Sequence, residues 1–215
     1  MDKFLKDAYI PALHNAGISK VGVFKPIGKD TIKENFIVVF IPFKSLQHFE
    51  DLPQILEKDS KYNISGKEYI DASYDKPPYV KIESIILKAL SYMPRFEIPV
   101  YSTSPSERIY ELRSYQSPTE KLFRKKVEMF NEGGEIKLFQ TLGFNAVFYA
   151  EVLSGTTMPN MMYMTTFSNM KSQTEHWESF RISPDWKVMS GLEKYKNTVS
   201  ASAKYLLYPT DYSEI

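Results

Sequence analysis

From Arg108 onward the spacing of apolar residues switches period in a regular order. Residues 108–115 alternate with period two, which predicts a strand carrying Tyr110, Leu112 and Ser114 on one face and Glu111, Arg113 and Tyr115 on the other. Ser117-Pro118-Thr119-Glu120 reads as a capping box, with Ser117 as the cap and proline at the first helical position, so a helix is expected to begin there. Phe123, Val127 and Phe130 recur at helical spacing as its buried stripe, with Lys121, Arg124 and Lys125 outward. Gly133-Gly134 interrupts the pattern, and a short second helix is expected over 136–142. Two strands follow at 145–153 and 161–167, joined by the turn-forming stretch 154–159. Asn169 opens a helix running through His176, Trp177 and Phe180; Ser183-Pro184-Asp185 opens another through Trp186, Val188 and Leu192; and 201–208 closes the unit as a strand. The order β-α-β-β-α-β is that of a ferredoxin-like unit with helices on one sheet face.

The first half reads as a weaker copy of the same unit. Leu13-His14-Asn15-Ala16-Gly17-Ile18 parallels Phe139-Gln140-Thr141-Leu142-Gly143-Phe144, and each glycine suits a helix C-terminal cap. The predicted elements are a helix over 2–16 broken by Pro11, strands at 20–26 and 36–43, helical segments over 46–57 and about 64–72, and a strand over 81–90, where β-branched residues follow Pro77-Pro78. The copy lacks its opening strand, so a longer precursor with an upstream strand and a leader is an expectation. The resulting division is a first ferredoxin-like unit at 1–92, a Pro- and Ser-rich linker at 93–107 and a second unit at 108–215. The fold class is therefore α+β.

Composition narrows the function. Lys plus Arg number 27 against Asp plus Glu at 26, which leaves no electrostatic footprint for a nucleic acid backbone. No cysteine is present, which excludes disulfides, thiolate metal sites and cysteine nucleophiles. No apolar run approaches the roughly 20 residues of a transmembrane helix, so a soluble protein is expected; the compartment is cytoplasmic for the chain as given and exported if a leader preceded it. There is no phosphate loop, no Gly-x-Ser-x-Gly elbow and no paired-histidine zinc pattern. No metal and no cofactor is expected. Met158, Met161, Met162, Met164 and Met170 read as pliable core filling in preference to metal or partner binding.

Tyr110-Glu111-Leu112-Arg113-Ser114-Tyr115, Trp177 followed by Phe180, Ser183-Pro184-Asp185-Trp186 and, in the first half, Pro11 to Ile18 with Val21-Gly22-Val23-Phe24 resemble the NIPSNAP family. The resemblance implies a dimeric α-β barrel, here built within one chain from two tandem ferredoxin-like sheets whose bare faces pack together. It implies no agreed biochemical activity. In that geometry, if Tyr110 and Leu112 meet the helices, Glu111, Arg113 and Tyr115 face the space between the sheets. Arg113 is then the leading candidate to hold a small anionic or carbonyl-bearing ligand. The competing reading is a structural pair of Arg113 with Glu111 or Glu151. Tyr115, Tyr149 and Tyr163 are candidate cavity-lining residues. His14, at a helix end, joins the candidate set; since some members of the wider superfamily bind haem, His14 or His176 is a minor candidate as axial ligand.

Two functions remain. One is a non-catalytic barrel that forms homo-oligomers and binds a small apolar or anionic molecule or a protein. The other is a metal-free oxygenase- or isomerase-type enzyme acting on a hydrophobic or aromatic substrate, with Arg113 polarising an oxygen and Tyr115 or Glu111 moving a proton.

Overall fold

The computed structural model describes residues 1–28 and 36–215. The chain divides into two compact units, one formed by residues 1–23, 37–83 and 212–215 and the other by 24–36 and 84–211.

In the first unit the N-terminal segment is helical throughout as α1 (Asp2–Phe4), a π-helical turn (Leu5–Tyr9) and α2 (Ile10–Asn15). Pro11 does not break it, contrary to the sequence expectation. Proline removes one backbone donor, and the wider π turn just before it absorbs that loss without ending the helix. Gly17, at φ 86°, ends α2: its own N–H reaches His14 and that of Ile18 reaches Leu13, closing the last turn. The chain then enters β1 (Gly22–Pro26) and, later, β2 (Val38–Phe40), which is shorter than the expected strand over 36–43. Next come α3 (Leu46–Lys58), capped by the Ser45 hydroxyl, α4 (Ser60–Ser65), capped by Asp59, and α5 (Lys67–Ile70). Leu5, Leu13, Ile18, Val21, Val23, Leu52 and Leu56 form the core of this unit.

The second unit holds a sheet whose strands are β3 (Ile86–Ala89), β4 (Ile109–Gln116), β5 (Asn145–Ser154), β6 (Asn160–Phe167) and β7 (Ala201–Pro209), joined at its β7 edge by the end of β1. Across it the order is β7-β4-β6-β5-β3, each neighbour antiparallel. The four strands from β4 to β7 thus take the interleaved order of a ferredoxin-like unit, as the element sequence predicts. Of the strand expected over 81–90, only Ile86–Ala89 forms, and it lies beside β5.

The connecting helices are α6 (Glu120–Phe130), α7 (Glu135–Thr141), α8 (Met170–Ile182) and α9 (Pro184–Gly191). The cap of α6 is Thr119, whose hydroxyl accepts from Leu122, and not Ser117. Ser117 is buried and donates to the Thr198 carbonyl, so a tertiary partner took the hydroxyl that the capping box would have used. Asn169 caps α8 as expected. Phe123, Phe130, Phe139, Phe144, Trp177 and Phe180 pack with Tyr149, Met161, Tyr163 and Phe167 of the sheet to make the core. Met161, Met162 and Met164 are buried in the sheet, whereas Met158 and Met170 are exposed.

Candidate functional site

Antiparallel register sets Arg113 of β4 opposite Tyr163 of β6, and Tyr163 opposite Tyr149 of β5. Period two puts Glu111 and Tyr115 on the same face as Arg113. That face meets the helices: Gln173 and Trp177, one turn apart on α8, both reach Glu111. The sequence assignment of faces is therefore reversed. Tyr110 packs instead against Phe24 with ring centroids 4.7 Å apart, and Ser114 donates to Asn160. Alternation separates two faces but carries no sign for which one the helices cover, and here the polar face is covered because α8 supplies its donors.

Glu111 is completely buried and its carboxylate is saturated with donors. One oxygen takes the Arg113 Nε–H at 2.5 Å; the other takes Gln173 Nε2 at 2.6 Å and Trp177 Nε1 at 2.9 Å. Arg113 also donates from Nη1 to the Tyr115 hydroxyl at 3.0 Å, and its guanidinium lies 3.7 Å from the centroid of the Trp177 ring. Tyr115 and Tyr163 share a hydroxyl hydrogen bond of 2.8 Å. About a fifth of the Arg113 side chain stays accessible, at 20 %. Glu151 takes no part: it pairs with Lys88 and Arg124.

Beside this cluster Lys126 of α6 and Glu135 of α7 form a buried ion pair at 3.0 Å, with the Lys126 ammonium 5.4 Å from the Tyr115 ring and 4.8 Å from that of Phe130. Two carboxylates and two cations, Glu111 with Arg113 and Glu135 with Lys126, are thereby held as two pairs in a mostly aromatic interior. Burial acts to lower the Arg113 pKa, but Tyr163, Tyr115 and Glu111 outweigh it and the net shift is upward, so the guanidinium is always charged. Burial lifts the Glu135 carboxyl above its ordinary range, partly offset by Lys126. Burial likewise pushes up the Tyr163 and Tyr149 phenols, with Tyr115 adding to the first and Glu135 to the second. The Tyr149 hydroxyl, though buried, has no hydrogen-bond partner among the described residues.

Of the six candidate residues, Glu111, Arg113, Tyr115 and Tyr163 form one hydrogen-bonded cluster, and Tyr149 packs in the same core, its ring centroid 5.6 Å from that of Tyr163. His14 is elsewhere, in the first unit, where its Nε2 lies 3.0 Å from Glu214. His176 spends Nδ1 on the Ser172 carbonyl at 2.7 Å, and His48 reaches the Ala16 carbonyl at 2.9 Å. Sequence reasoning missed Gln173, Trp177, Lys126 and Glu135 as partners. A signal existed for Lys126, which falls at helical spacing between Phe123 and Phe130 and so on the buried stripe. Among the described residues no group of His, Cys, Asp or Glu is arranged to hold a metal ion, and no helix is long and apolar enough to cross a membrane.

The fold is similar to that of dimeric α-β barrel proteins. The chain is similar over 94 % of its length to a Fusobacterium nucleatum structure described as a "Putative monooxygenase", with 84 % of that chain covered, 10 % identity and a TM-score of 0.54. A Lactobacillus acidophilus structure with the same description gives 94 %, 85 %, 8 % and 0.54. A NIPSNAP family protein from Agrobacterium tumefaciens is 19 % identical and aligns over 55 % of this chain and 97 % of its own, with a TM-score of 0.44. Residues 110–214 match the NIPSNAP family model, and this segment is similar to that family. Comparison with curated proteins gives no match.

Proposed function

We propose that the chain is a non-catalytic binding protein in which the accessible edge of Arg113 meets a small anionic or carbonyl-bearing ligand. The observation that carries this is the commitment of Glu111 and Tyr115. A proton-transfer catalyst needs a group free to accept or release a proton beside its substrate. Glu111 is fully buried and accepts three hydrogen bonds, while the Tyr115 hydroxyl is held between Arg113 and Tyr163. Those contacts do something else: they fix one guanidinium in a single orientation, with its face on Trp177 and part of its side chain in solvent. An oriented planar fork suits recognition of carboxylate, phosphate or carbonyl oxygen. The enzymatic reading would require Glu111 to surrender its partners.

The test is mass spectrometry of the small molecules carried through native purification, on the natural protein and on Arg113→Lys, which keeps the charge beside Glu111 and removes the fork. A bound oxygen-rich molecule recovered chemically unchanged from the natural protein and lost from the folded variant is the expected result. Equal retention by both proteins, or conversion of the molecule on incubation, would overturn the reading.

A further inference from the structure

We infer that the ligand met by Arg113 is a phosphomonoester, held also by Lys204 and Ser202 of β7; this rests on the binding role proposed above for Arg113. In the β4–β7 pair Tyr115 stands opposite Ser202, Arg113 opposite Lys204 and Glu111 opposite Leu206. Residues opposite one another share a face, so Ser202 and Lys204 project from the face that carries the guanidinium, with the Cβ atoms of each pair about 4.5–5.5 Å apart. Around Arg113 that face is closed on three sides. Glu111 holds Nε, Tyr115 holds Nη1 and passes the contact on to Tyr163 of β6, and Trp177 lies over the plane. The β7 side is open: Ser202 and Lys204 are exposed, and Leu206 is half-buried against the aromatic core. The accessible part of the Arg113 side chain, 20 %, therefore faces β7.

Three donors on this side are unspent. Among the described residues Arg113 Nη2 makes no hydrogen bond, Lys204 makes no ion pair or hydrogen bond, and the Ser202 hydroxyl donates to nothing. Like charges directly opposite across a strand pair repel. Glu111, the one carboxylate on this face of β4, does not relieve Lys204, because it is buried and committed to Arg113, Gln173 and Trp177. A bound anion removes the repulsion. A phosphomonoester brings three terminal oxygens and a charge of about −1.5 to −2 at neutral pH, which gives each donor an acceptor and each cation a countercharge. A carboxylate has two oxygens and one charge, and leaves a donor unmatched. Arg113 supplies the fixed planar fork, and the Lys204 ammonium, on its flexible four-carbon stem, supplies a charge that closes on the ligand.

Isothermal titration calorimetry with phenyl phosphate and with benzoate, in a phosphate-free buffer at about pH 7.5 where the phosphomonoester is dianionic, tests this. The natural protein is expected to bind phenyl phosphate roughly tenfold more tightly than benzoate. Lys204→Gln, at an exposed position, weakens phenyl phosphate alone and brings the two affinities together. Lys121→Gln, which removes an exposed lysine of α6, changes neither, and Arg113→Lys weakens both. Equal binding of the two anions by the natural protein, or a Lys204→Gln variant that keeps the preference, would overturn the inference, while benzoate binding that depends on Arg113 would still support the reading beneath it. A preference lost as fully in Lys121→Gln as in Lys204→Gln marks general charge attraction and overturns it too. Binding of neither anion also overturns it, and the recovery of a native ligand described above then decides the Arg113 reading separately.

Discussion

Replacing Arg113 by methionine tests the central cluster most directly. The side chain keeps its length and apolar stem but loses the Nε–H to Glu111 at 2.5 Å, the bond to Tyr115 at 3.0 Å and the stack on Trp177 at 3.7 Å. What remains is a fully buried carboxylate with two neutral donors, Gln173 and Trp177, and no adjacent countercharge. Removing one partner of a buried pair costs about 3–5 kcal/mol, because the survivor cannot recover its hydration. Domain stabilities lie near 5–15 kcal/mol, so this single change removes a large share of the total. Urea denaturation followed by far-ultraviolet circular dichroism and tryptophan fluorescence measures it. Arg124→Met is the control: Arg124 is itself exposed and Glu151 keeps Lys88 as a partner at 3.2 Å, so the loss should be about 0–1 kcal/mol. The double variant Arg113→Met/Glu111→Leu should lose less than the sum of the two single variants, since it strands no charge, although Gln173 and Trp177 then lack their acceptor. An Arg113→Met variant within about 1 kcal/mol of the natural protein, or no more destabilised than the control, would refute the reasoning.

Two further outcomes are expected. Gly143→Ala destabilises by about 1 kcal/mol or more, because Gly143 has φ 79° and a Cβ there would lie 3.2 Å from His176 Nε2; Gly17→Ala, at φ 86° with open space around it, shows the backbone cost without that contact, and a smaller loss at Gly143 than at Gly17 would contradict the steric argument. For Glu135 the folded state binds the proton more tightly than the unfolded chain, since burial raises its pKa above the ordinary 4.5. Its contribution to stability is present below that value and is lost as pH rises through the folded value. Glu135→Gln removes this dependence, so urea midpoints measured from about pH 4 to about pH 8 should shift in favour of the variant as pH rises, and parallel curves for the two proteins would disprove the assignment.

Much of the C-terminal half was legible in the residues. Alternation over Ile109–Gln116, the aromatic stripe of α6, the Ser154 to Pro159 turn and the Asn169 cap each depend on neighbours a few positions away, and all form. Gly17 and Gly143 were likewise readable as helix ends and both take positive φ with the same pair of closing hydrogen bonds. Where a residue's partner is remote in sequence, local reading failed. Ser117 looked like a cap until Thr198 claimed its hydroxyl, and of the strand read over 81–90 only Ile86–Ala89 formed, where β5 lies alongside to pair with it.

The sequence alone determined which residues share a face of β4, because the pleat gives every strand the same period. Only the tertiary structure decided which face the helices cover, because that choice rests on Gln173 and Trp177 arriving 62 and 66 positions later to satisfy a buried carboxylate.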